Sequence, residues 1–134
     1  MNATAAIPVG ATATYELEVR PEFTVKHHHA EMPVVFGTPF MIYAMEVAAT
    51  RAIAAYLPAG WVSVGYEVSV QHLAATPLGC MVTATATVTE KTDRLVSFAV
   101  QAHDGVELIG TGTHVRAPVE LARLERRASA KRPG

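Results

Sequence analysis

The stretch T-P-F-M-I-Y-A-M-E-V-A-A-T-R-A-I-A-A-Y-L, Thr38 to Leu57, decides the fold. Of its twenty residues only Glu46 and Arg51 are charged. Apolar residues fall on every side of a helical period, so the segment reads as a long helix wrapped by protein all round. Clear signals frame it: Thr38 can act as N-cap, Pro39 fits the first helical position, Pro58 cannot continue the helix and Gly60 can turn. An ionised carboxylate in such a helix is costly without a partner. Glu46 is therefore either paired or the acid, base or nucleophile of a site, and His72 is the candidate partner.

Outward from the helix the period changes from 3.6 to 2. Tyr15, Leu17 and Val19 alternate with Thr14, Glu16, Glu18 and Arg20, the pattern of a half-buried strand that Pro21 ends. The stretch from Phe23 to Gly37 has no sustained period and reads as a loop. After the helix, Val62, Val64, Tyr66, Val68, Val70 and His72 alternate with Ser63, Glu67, Ser69 and Gln71, which puts His72 in line with the core-facing residues. Thr76-Pro77-Leu78-Gly79 is a turn. Cys80 to Val88 alternates against a threonine stripe suited to a solvent-facing surface. Leu95 to Ala102 and Val106 to Val115 are further strands joined by the hairpin signal Asp104-Gly105. Short connections between consecutive strands predict antiparallel pairing. One apolar helix and a single sheet of about five strands predict an α+β fold, with a curved antiparallel sheet wrapped round the helix. The sheet edge and the uncovered side of the helix predict a homodimer.

A chain of 134 residues, half of them apolar, fits one domain, 1–134. A flexible N-terminus of about residues 1–12 and a basic C-terminal tail of about 123–134 flank it. The single cysteine, Cys80, excludes an intrachain disulfide and suits a reducing cytoplasm. No signal peptide or membrane-spanning stretch is read, and a formal charge of −1 gives no general pull toward nucleic acid. Arg123, Arg126, Arg127, Lys131 and Arg132 crowd the tail, either as a solvated end or as an attractor for an anion such as a nucleotide phosphate.

F-G-T-P-F-M-I-Y-A-M-E-V-A-A-T-R-A-I, V-G-Y-E-V-S-V-Q-H-L-A-A-T-P-L-G and A-H-D-G-V-E-L-I-G-T-G-T-H-V-R-A resemble the fluoroacetyl-CoA thioesterase branch of the hotdog fold, over about Phe36 to Ala117. The resemblance implies a catalytic set of Thr38, Glu46 and His72, and an acyl pocket with Gly65 and Arg116; Phe36 is a further candidate substrate contact. It departs from the family in the segment H-A-E-M-P-V-V-F before the helix, where Met32, Val34 and Val35 stand in a region that is rich in phenylalanine there. Hydrolysis of a short- or medium-chain acyl thioester, carried by CoA or by a pantetheine-bearing protein, is the implied activity, with no cofactor.

The chemistry is consistent on its own terms. A thioester carbonyl needs an activated nucleophile, a group to hold its proton, and donors for the oxyanion. Thr38, Glu46 and His72 supply a hydroxyl, a carboxylate and an imidazole, and a helix N-terminus supplies amides and a favourable dipole. Glu46 lies about two turns, roughly 12 Å, along the axis from Thr38, so the two converge only on a shared ligand or across a dimer interface. Each residue also has a structural reading: Thr38 as cap, Glu46 as buried acid, His72 as core histidine, Gly65 as bulge or close backbone approach, Arg116 as strand-end charge. His27, His28 and His29 cannot readily turn three rings to one ion, so no metal site is expected. A non-catalytic acyl-CoA binding module and an enoyl-thioester hydratase are the alternatives.

Overall fold

The computed structural model describes residues 2–133. Five strands and one long helix carry it: β1 (Thr12–Glu18), α1 (Val25–His28), α2 (Thr38–Ile53), β2 (Trp61–His72), β3 (Met81–Lys91), β4 (Val96–His103), β5 (Leu108–Glu120) and α3 (Leu121–Ser129). All strand pairs are antiparallel, in the order β1-β3-β4-β5-β2. Residues opposite one another in such pairs share a face. On β3 and β4 that inner face is Val82, Ala84, Ala86, Val88, Val96, Phe98, Val100 and Ala102, all buried, while the threonines of β3 point outward. The α+β sheet-on-helix fold expected from the change of period is thus present.

Helix α2 lies chiefly across β1 and β3. It buries a stripe of Met41, Ala44, Met45, Ala48, Ala49, Ala52 and Ile53. Alanines dominate it because the sheet approaches closely. At Gly110 of β5 an added Cβ would run into the Met41 thioether, so this glycine is what lets the helix sit down there. Within one chain the helix is not wrapped all round: Tyr43 and Arg51 are exposed, and Glu46 is partly so, which is the uncovered side expected of a single protomer. Arg51 instead lays its guanidinium over the Tyr15 ring, 4.8 Å from its centre.

Other expectations also change. The N-cap is Gly37, and Thr38 is the first helical residue, which frees the Thr38 side chain from capping. Pro58 and Gly60 do end the helical segment, Gly60 at φ +83°, after a 3₁₀ turn at Ala54–Tyr56. β2 does not pair with its successor β3 but with β5, leaving β2 on the sheet edge. The N-terminal segment packs: Ala3, Thr4 and Ile7 are buried, Thr4 Oγ1 bonds the Thr92 carbonyl, and Lys91 Nζ donates to the carbonyls of Thr4 and Ala5. The loop before α2 contains a 3₁₀ turn (Pro21–Phe23) and the single helical turn α1.

The feature that matters most for chemistry is a bulge in β2. Gly65 faces Arg116 and Glu67 faces Val115, so Tyr66 has no partner and the strand's alternation reverses there. Before the bulge Ser63 and Gly65 share the inner face with Arg116; after it Val68, Val70 and His72 do, with His114 and two glycines opposite. Strict alternation from Trp61 onward assigns Val62, Val64 and Tyr66 to the core. Tyr66 is instead 66% exposed and Ser63 is buried.

Candidate active site

At the N-terminus of α2, Thr38 Oγ1 lies 2.7 Å from His72 Nδ1 at the end of β2. Burial pushes the His72 imidazole below its ordinary value, opposed by the Ala74 backbone, so the ring is neutral near pH 7. A neutral imidazole can accept the Thr38 proton at Nδ1, which leaves Nε2 protonated; that atom is buried and has no partner among the described residues. Phe36, fully buried, meets the His72 ring edge-on with centroids 6.5 Å apart. These three line one open depression of about 350 Å³ together with Val25, Val35 and Leu73. The supply of free helix amides is smaller than a helix N-terminus normally offers. Pro39 has no N–H, and Phe40 and Met41 already donate to the Gly37 carbonyl, which leaves the Thr38 N–H.

Two turns along the helix, Glu46 meets a second group. Arg116 Nη1 is 3.5 Å from Glu46 Oε2, with the guanidinium almost fully buried and the carboxylate about a third exposed. Arg116 is held from three sides. Its Nε donates to Ser63 Oγ at 2.8 Å, its Nη2 to the Ser63 carbonyl at 2.8 Å, and its Nη1 to His114 Nε2 at 3.1 Å. His114 Nδ1 lies 2.8 Å from the Glu67 carbonyl, which can only accept, so Nδ1 carries the hydrogen and Nε2 is left to accept from the arginine. A neutral ring follows, and burial above all pushes its pKa down. Burial lowers that of Arg116 too, while the Glu46 carboxylate opposes the shift. Gly65 completes the group. A Cβ there would stand 2.5 Å from Glu46 Oε2, so the glycine is needed for close approach of the carboxylate and also borders the bulge.

The structure therefore sorts the expected residues into two clusters. Phe36, Thr38 and His72 form one, and Glu46, Gly65 and Arg116 the other. The expected Glu46–His72 partnership is replaced by Glu46–Arg116. Ser63 and His114 are additions that sequence reading missed. H-V-R places His114 and Arg116 on one strand face, a usable signal, but no periodicity announces a bulge that turns Ser63 inward. Of the three consecutive histidines, His28 stacks on Phe40, with ring centroids 5.5 Å apart.

Comparison with known proteins bears on this arrangement. The profile of the family described as fluoroacetyl-CoA-specific thioesterase matches residues 19–122, most of the chain. The chain belongs to that family. Among similar proteins, the fluoroacetyl-CoA thioesterase of Streptantibioticus cattleyicolor is 43% identical over 131 residues, covering 93% of this chain and 94% of the relative. A solved structure of a fluoroacetyl-CoA thioesterase superposes on this member of the family with a TM-score of 0.89 at 42% identity, over 94% of this chain and 98% of that one. A thioesterase superfamily member from Thermus thermophilus gives a TM-score of 0.85 at 29% identity, over 93% and 95% of the two chains. The fold of this thioesterase family member is accordingly the hotdog fold.

Proposed function

We infer that the protein is a thioester hydrolase acting on short- or medium-chain acyl-CoA, with Thr38, His72 and Glu46 as its catalytic groups. Family membership carries the reaction class. The observation that supports the residue roles is the 2.7 Å contact between Thr38 Oγ1 and His72 Nδ1, an exposed hydroxyl beside a neutral imidazole at the edge of an open depression. That pair has the form of a nucleophile and its base. In hydrolysis the attacking hydroxyl, of Thr38 or of water, gives its proton to His72 as its oxygen adds to the thioester carbonyl; the oxyanion collapses, the C–S bond breaks and the thiolate takes that proton. Where Thr38 attacks, a water adds in the same way to the acyl ester, which releases the acid and restores the hydroxyl. His72 holds and returns the proton, while the Thr38 N–H is a donor for the developing charge. Arg116, anchored by Ser63 and His114, orients the Glu46 carboxylate toward the space above Gly65.

Solved relatives include complexes of a fluoroacetyl-CoA thioesterase mutant with acetyl-CoA and of another with fluoroacetate and CoA, which favours CoA as the carrier here. Within one chain the two clusters are two helical turns apart. A homodimer built by pairing the β2 edges brings one protomer's Thr38–His72 pair toward its partner's carboxylate. Action in the cytoplasm suits the lone thiol of Cys80. Free-thiol release from a panel of acyl-CoAs tests the reading. Glu46→Gln lowers kcat about a hundredfold or more with the fold intact, and a variant as fast as the parent removes Glu46 from the mechanism.

A further inference from the structure

We propose that the groove between α3 and the start of β2 holds the 3′-phosphoadenosine diphosphate end of CoA, with Trp61 under the adenine and Arg123 and Arg127 on the phosphates. The inference rests on the acyl-CoA reading above and extends it to a part of the molecule that reading does not use. From residue 121 to 133 the chain has five basic residues and one acid, Glu125. Arg123 and Arg127, one turn apart on α3, line an opening of about 350 Å³ with Trp61, Pro118, Glu120 and Leu124. Arg123 and Trp61 also line the adjoining opening of about 570 Å³, where Arg94 joins them. Among the described residues none of these three arginines is in an ion pair, the only pairs being Arg20–Glu22 and Arg116–Glu46. Unneutralised guanidinium groups beside a half-buried indole match a ligand with both phosphates and a flat base. Glu120 can accept from the ribose hydroxyls.

Position supports the same ligand. Trp61 precedes the bulge and so shares the inner face of β2 with Ser63 and Gly65. Four residues of strand separate Trp61 from Gly65, roughly 13 Å. That matches the reach of an extended pantetheine arm from a thioester beside Glu46 to a pyrophosphate beside α3.

The test compares one acyl group on CoA and on pantetheine, which lacks the nucleotide, in the parent and in the Arg123→Glu/Arg127→Glu double variant. Because α3 is exposed and contributes no buried residue, the double variant keeps its fold. KM for acyl-CoA rises about tenfold or more while that for acyl-pantetheine moves less than about twofold. Added salt raises the parent's KM for acyl-CoA and leaves the variant's little changed. Equal changes for both substrates, or none, overturn the proposal. So does an effect confined to an acyl carrier protein substrate, which would assign α3 to an acidic protein partner. Calorimetric binding of adenosine 3′,5′-bisphosphate separates this from the proposed function. Binding by the parent that the variant loses sustains the groove even if no thioester is cleaved, and absence of binding overturns it even if all are.

Discussion

Gly65 matters for an atom it lacks. Glu46 Oε2 lies 2.5 Å from where a Cβ at Gly65 would stand, too close for both to keep their places. Because that carboxylate is the free end of a flexible side chain, Gly65→Ala displaces it cheaply: the melting temperature should fall by less than about 5 °C. Turnover should drop about tenfold to a hundredfold as the carboxylate leaves its position above the strand, and parental turnover would show that this position is irrelevant to the chemistry. Residues of this kind differ in how far sequence discloses them. Glu46 stands out because a charge in an apolar helix needs a reason, and His72 because it falls in register with valines. Thr38 is visible as a helix-start residue, but its side chain turns to His72 because Gly37 takes the capping position. Ser63 looks like an outward residue on a regular strand, and His114 has no periodicity to single it out until the bulge places it against Arg116.

At the scale of elements, every strand is visible in the alternation, to within a few residues at the ends, and α2 is visible from its terminal signals, although the cap is Gly37 and not Thr38. Pairing is not, because which strands become neighbours depends on how the chain crosses the sheet rather than on any local pattern. β2 illustrates the cost of that gap, since it lies at an edge with a twelve-residue run of backbone beyond which, among the described residues, no strand pairs. Long edges are ordinarily covered, and Tyr66 and Val68 remain exposed along this one. Light scattering at micromolar concentration should return twice the 14.3 kDa mass of one chain. A mass of one chain would mean that both clusters act, if at all, within a single protomer.

At the scale of the whole molecule, two buried imidazoles set the response to acid. His72 and His114 both have pKa values pushed below the ordinary one by burial. The unfolded chain therefore takes up protons at about pH 6.5, before the folded chain does, and stability falls as the pH drops through that value and levels once both states are protonated. The acid limb of kcat should lie below about pH 6.5, since His72 acts as a base only when neutral. Urea unfolding across this range checks the first statement and a pH–rate profile the second; stability that holds constant or rises on acidification would sink the argument. Helix α2 and strand β2 also run side by side in opposite directions, so that Thr38 stands by His72, Glu46 by Gly65, and the turn after the helix delivers Trp61 beside α3. The intervals between these stations are multiples of the backbone rise of a helix and a strand, and no exchange of side chains can stretch them. On the proposed path of the carrier the protein is a gauge of ligand length: a bulkier acyl group can be met by trimming a side chain, whereas a carrier arm of the wrong length cannot be met at all.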